Sequence, residues 1–358
     1  MENRYMKLRA LFILVFTFSM TFGQQGHSPW TQITKNSVAQ ERVLPQESVP
    51  VKATYYQLDI NALNSVLQKV PVQTPSKSDV VLDFPNADGT MEAYNITEYS
   101  VMAPELQAKF PQIRSYVGYS LKNASTVIYF SVSPDGLHSM KLSSDRGTEF
   151  VNPYATDSSY KAFSRQDIPT TQNLFECGFV EDPLFNRNSW DLGNAVQNAN
   201  DGVRRTYRLA VGTSVEYTNF HGGTVASALA AINTTMTRVN GIYDRELSIR
   251  MTLVANNDLL ISTTGNSLFS NSENISANTG IINSLIGNAS YDIGHSFTTG
   301  SGGKAQLNSV CTNSKGAGTT GLSTPSGDPF AIDYVAHEIG HQFGATHTFN
   351  GTAGNCAG

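Results

Sequence analysis

Near the C-terminal end of the 358-residue chain, His337 and His341 stand four residues apart with Glu338 beside the first, and His347 follows. Residues four apart project from one face of a helix, so the two imidazoles can share a metal ion. The full stretch is His337-Glu338-Ile339-Gly340-His341-Gln342-Phe343-Gly344-Ala345-Thr346-His347. Gly344 can take a left-handed conformation that a residue with a Cβ resists, which ends the helix and turns His347 back as a third ligand. Three protein ligands leave one position open, the arrangement of a catalytic zinc rather than a closed structural one. Zinc lowers the pKa of water from about 16 toward about 7 and polarises a carbonyl. Glu338, outside the ligand set, is placed to take a proton from that water and pass it to a leaving amine. The chemistry predicted is peptide hydrolysis without a covalent intermediate.

A helix must carry these residues. Asp328 reads as its N-cap and Pro329 as its first residue, and Ala331, Val335, Ala336, Ile339 and Phe343 supply its apolar faces. Upstream, Thr206–Val211 alternates as a strand, and Val225, Leu229, Ile232, Met236 and Val239 recur at helical spacing. Leu247–Val254 reads as a strand, Ile275–Ile286 as a helix, and Tyr291–Thr298 and Gln306–Cys311 as two further strands. Strands alternating with helices predict an α/β layer on a twisted sheet. His295 reads as a structural histidine and His221 as a loop residue.

The N-terminal half has a different texture. A folded region is predicted from about Val51 to Asp167, with Ser125–Val132, the turn Pro134-Asp135-Gly136 and Leu137–Leu142 forming a hairpin. Met102–Tyr116 reads as a short helix plus turn, and His138 as a surface strand residue. Gln24–Ser48 is polar and predicted extended. Asp167–Asp201 is an aperiodic linker, and Arg204-Arg205 after it is a candidate processing site.

The stretch from His337 to His347 resembles the metzincin zinc signature. Together with Gly302-Gly303-Lys304-Ala305-Gln306 it resembles the reprolysin-like, adamalysin-related members found in secreted bacterial proteins. The resemblance covers roughly Arg205 to Gly358. Ala103-Pro104-Glu105-Leu106-Gln107-Ala108-Lys109-Phe110 resembles the propeptide of those enzymes. The resemblance implies an α/β (α+β) metzincin catalytic domain, 201–358, with a twisted mixed sheet and an active-site helix. A β-rich propeptide domain with its linker, 24–200, precedes it. It also implies protein or peptide substrates, paired along an edge strand near Gly303, Ala305 and Leu307. Adamalysins usually carry Asp after the third histidine, where this chain has Thr348-Phe349, and His347-Thr348-Phe349 also resembles pappalysins. Metzincins carry a methionine turn beyond the third ligand, yet the eight methionines all lie at or before Met251. The chain is therefore expected to be C-terminally incomplete.

Of three cysteines, Cys177 lies in Phe175-Glu176-Cys177-Gly178-Phe179, just before the expected catalytic domain. A thiolate is a good zinc ligand, and related zymogens fill the open position with a propeptide cysteine. Cys177 is thus expected to hold the enzyme latent, with a disulfide as its alternative. Cys311 and Cys356 read as structural. Calcium has no support, since no acidic loop has a clear ligand spacing.

Arg4, Lys7 and Arg9, the apolar run Ala10–Phe22 and small residues Thr21 and Gly23 have the layout of a secretory signal over 1–23. A secreted bacterial protein is expected, extracellular or at the cell surface and monomeric. No later stretch is apolar enough for a membrane span. Net charge is -5 without a dense basic block, which excludes a nucleic-acid partner. Two other readings compete with the protease. One is a secreted module that binds zinc without turnover, and the other is an adhesion protein whose metal helix is only structural.

Overall fold

A computed structural model of the chain describes residues 28–44, 49–72, 78–169, 177 and 202–347. The expected signal segment, residues 170–201 of the linker apart from Cys177, Thr348-Phe349 and Cys356 lie outside the described residues.

The N-terminal half is an antiparallel sheet of nine strands: β1 (Trp30–Ile33), β2 (Thr54–Leu58), β3 (Val81–Pro85), β4 (Met91–Glu98), β5 (Arg114–Ser120), β6 (Val127–Ser133), β7 (Gly136–Ser143), β8 (Gly147–Pro153) and β9 (Ser159–Ser164). Their order is β1-β2-β9-β8-β7-β6-β5-β4-β3. The sheet curls until its two edges meet, where the Trp30 indole N–H donates to the Asp83 carbonyl at 2.8 Å. Alternation along each strand sends every second side chain inward. Trp30, Tyr56, Phe84, Tyr94, Phe130 and Tyr160 fill the inside. Neighbours such as Val117, Tyr129, Met140 and Phe150 point out, and they are buried as well because the second half packs over them. Helices α1 (Ile60–Leu67) and α2 (Pro104–Lys109) lie in the connections.

The second half is built on β10 (Arg205–Thr213), β11 (Ile249–Leu253), β12 (Ile293–Thr298), β13 (Gly302–Ala305) and β14 (Gly318–Gly321), in the order β11-β10-β12-β14-β13. The first four in that order are parallel, and β13 runs antiparallel along the edge. The helices are α3 (Val215–Phe220), α4 (Val225–Leu247), α5 (Asn278–Ile286) and α6 (Ala336–Gln342). Thr224 and Ser227 form a reciprocal capping box at the start of α4. The periodic residues Leu229, Ile232, Met236 and Val239 are fully buried, and they join the outward face of the first sheet in one core. The mixed α/β architecture with a β-rich N-terminal region is as expected.

Several local readings are corrected. Gln24–Ser48, expected extended, is so at Trp30–Ile33, where the indole completes the interior of the first sheet, but Lys35–Ser37 and Gln40–Arg42 wind into short 3-10 turns. Gln306–Cys311 is a loop, not a strand. Asn308 and Cys311 take left-handed φ of 54° and 62°, which an extended strand cannot accommodate. Asp328 is helical in backbone and makes no cap hydrogen bond, and its carboxylate pairs instead with Arg165 of the first half. Pro329–Val335 winds as a wider π-helical segment that runs straight into α6. His138 is not a surface residue. It is half-buried, and burial, helped by the nearby Arg238 guanidinium, pushes its pKa down to about 3.

Candidate metal centre

Helix α6 presents His337 and His341 from one face. It stops where Gly344 adopts φ +99°. The Gly344 N–H donates to the His341 carbonyl at 2.8 Å, and Ala345 N–H to the Gly340 carbonyl at 2.9 Å. This left-handed end satisfies the last helical carbonyls and reverses the chain. His347 is thereby returned to the other two histidines. The three Nε2 atoms converge: His337 to His341 at 3.0 Å, and His347 to each of them at 3.2 Å. The His341 Nδ1–H donates to the Ala345 carbonyl at 2.7 Å, which leaves its Nε2 lone pair for a metal. Burial pushes the His337 pKa down to about 4 and lowers that of His341, so both are neutral and able to ligate at neutral pH.

The donor set fits zinc. Nitrogens bound tetrahedrally at about 2.0–2.1 Å lie roughly 3.3 Å from one another, close to the separations found. Cys177 is a fourth donor. Its Sγ lies 3.5 Å from His341 Nε2. The ligand atoms of Cys177, His337, His341 and His347 all fall within 4.8 Å of one another.

Glu338 is fully buried beside this cluster, and neither carboxylate oxygen has a hydrogen-bond partner among the described residues. Burial pushes its pKa up to about 8, against a smaller lowering by the Cys177 thiol. Its position is set by β13. A Cβ built on Gly303 would fall 2.5 Å from Glu338 Cγ and Oε1, so only glycine lets the strand pass this close. Gly318 on β14 makes the same allowance for Gln342 and His295.

Side chains sequence reasoning did not single out hold the helix in place. The Gln342 Oε1 accepts from His295 Nδ1–H at 2.8 Å, and its Nε2 donates to the Gly294 carbonyl at 2.9 Å, tying α6 to β12. His295, read as structural, is buried, with Thr320 on its other nitrogen at 2.8 Å. The Tyr243 hydroxyl donates to the Ala336 carbonyl at 2.7 Å and anchors the start of α6 to α4. The one available signal was the residue beside the second histidine, Gln342, a polar residue facing away from the metal on a helix that must be buried.

Of the expected edge-strand residues, Gly303 and Ala305 lie in β13, at the edge of the sheet, whereas Leu307 falls beyond its end. Cys177 forms a parallel β-bridge with Gly303. Cys177 therefore lies on the edge expected to pair with substrate.

A sheet with an antiparallel edge strand below a helix that offers two histidines, a glutamate and a returning third histidine defines a metallopeptidase-type centre. Residues 229–348, about a third of the chain, match the reprolysin-like metallopeptidases of family M12B, and this region is similar to that family. No match was found among curated proteins. No helix among the described residues is long and apolar enough to cross a membrane.

Proposed function

We propose that this protein is a secreted zinc metalloendopeptidase made as a zymogen, with His337, His341 and His347 holding the metal and Glu338 acting as general base. The observation that supports this reading best is the convergence of three Nε2 atoms within 3.2 Å, beside the fully buried carboxyl group of Glu338. A zinc ion bound there supplies Lewis acidity toward a peptide carbonyl and makes water a better nucleophile at neutral pH. The Glu338 carboxylate accepts a proton from the attacking water and delivers it to the leaving amine nitrogen. Burial without the metal raises the Glu338 pKa to about 8, and the positive charge of a zinc ion bound beside it would favour the ionised carboxylate that this role requires. β13 offers backbone groups from Gly303 to Ala305 to an extended peptide, which orients the scissile bond over the carboxylate.

Latency follows from the same geometry. The Cys177 thiol occupies the fourth donor position, and its backbone takes the place of a substrate strand against Gly303. One residue thus blocks both the nucleophile and the binding edge. Removal of the propeptide releases both. Hydrolysis of an unstructured protein that appears on limited proteolysis and disappears with a chelator supports this reading. A protein that binds one zinc and stays inactive after propeptide removal overturns it.

A further inference from the structure

The inside of the N-terminal sheet holds an ionic group far from the metal centre. Lys141 on β7 is 2% exposed and Glu149 on β8 is 6% exposed, in a core otherwise aromatic and aliphatic. The two are direct cross-strand partners, and the ammonium lies 2.9 Å from Glu149 Oε2. The same Nζ is in very short contact with the side-chain oxygen of Asn86, a buried residue just past the end of β3. The Asn86 Nδ2 faces the other way and donates to Thr90 Oγ1 at 2.9 Å. Tyr94 lies near the ammonium, its ring centroid 6.0 Å from Nζ, and Glu92 and Arg146 are the other charges that reach this pocket.

We propose that Lys141 and Asn86 are joined by an intramolecular isopeptide bond, formed autocatalytically with Glu149 as the proton acceptor. An amine, a carboxamide and a carboxylate held together in a buried pocket are what this acyl transfer requires. The amine must be neutral to attack, and burial lowers the lysine pKa against the opposing pull of Glu149. The carboxamide carbon is one bond from the oxygen that Nζ touches. In the reaction the Nζ–Cγ bond forms and the Cγ–Nδ2 bond breaks. Lys141 sheds two protons. One moves to Glu149 Oε2, and the other leaves on Nδ2 as ammonia. A buried ion pair, costly to desolvate, becomes a neutral amide beside a neutral carboxylic acid. No oxidant or cofactor enters the balance.

The bond would fasten the β3–β4 turn to β7 across the interior. The first 176 residues contain no cysteine, so the N-terminal sheet has no disulfide of its own to do this. A covalent tie would suit a domain that must stay folded outside the cell beside a protease.

The test is a peptide map of the natively purified full chain by tandem mass spectrometry. The expected result is a branched peptide joining the Asn86 and Lys141 segments, lighter than the sum of the two by one ammonia, about 17 Da. Glu149→Gln and Asn86→Ala should each return the two segments as separate linear peptides of full mass. An ammonia loss confined to an N-terminal glutamine or to an Asn succinimide leaves the two segments separate, and that result overturns the proposal. So does a wild-type map in which both appear unlinked at full mass. The wild-type map alone decides the matter if either variant fails to fold.

Discussion

Gly303 and Glu338 touch across the gap between β13 and α6, so closely that a single methyl group on Gly303 would meet the Glu338 side chain at 2.5 Å. The edge strand expected to receive substrate and the expected proton acceptor are therefore one mechanical unit. Replacing Gly303 by Ala should push the carboxylate off its line without touching a metal ligand. A misplacement near 1 Å costs on the order of 100-fold in rate. The check is kcat/KM on a peptide substrate for activated Gly303→Ala, alongside zinc content. Activity should fall by about that factor while zinc stays at the wild-type level. Unchanged activity would show that the contact does not position Glu338.

Cys177→Ala should be active before any propeptide cleavage. The thiol sits within the donor cluster, and its loss leaves the fourth position to water. If the open form rises from a few per cent of molecules to most of them, the uncleaved rate rises on the order of 10-fold or more. The β-bridge to Gly303 would remain, so activation should be partial, and cleavage should raise it further. An uncleaved variant as silent as the wild type would remove the thiol from the account.

Arg165 joins the end of the first half to the start of the metal helix through Asp328 and Asp333. Asp328 is 5% exposed, so the pair is partly desolvated. Arg165→Ala should loosen the hold of the propeptide by about 1–3 kcal/mol. The measurement is the affinity of the cleaved, isolated N-terminal domain for the catalytic domain, or its rate of release after cleavage. Equal affinity would show that the shared apolar core carries the contact alone.

The site was legible in the sequence where its logic is local. The spacing of His337 and His341 follows from helical periodicity, and Gly344 from the need for a positive φ at the helix end. Elements with strong periodicity, such as α4, were equally readable. Asp328 misled because local pattern favours capping, whereas a guanidinium 163 residues away in sequence claims its carboxylate. The loop 306–311 misled because its residues alternate like a strand, although its backbone N–H groups at Asn308 and Ser309 donate to the last carbonyls of α6. The roles of Gly303 and Gly318 were not readable from pattern, because they depend on which side chains tertiary packing brings against them.

His295 gives a pH prediction. Burial pushes its pKa down to about 4 from an ordinary value near 6.5. Between those values the unfolded chain binds a proton that the folded chain does not, so stability is full above about pH 6.5 and falls as the pH drops toward 4. The loss from this one residue is on the order of 3 kcal/mol. Urea midpoints of the metal-free protein at pH 7.5 and pH 5 should differ, and His295→Asn should flatten that difference. An equal slope in the variant would assign the acid sensitivity elsewhere.

The central claim is that three histidines hold a zinc ion and Glu338 performs the proton transfer. Glu338→Ala tests it most directly, measured on the activated protein for both hydrolysis and bound zinc. The account predicts one zinc per chain, as in the wild type, with hydrolysis reduced by roughly 10²–10⁴-fold, the share that general base catalysis supplies. A variant that retains wild-type hydrolysis would contradict the role given to Glu338. A wild type without zinc would contradict the metal centre itself.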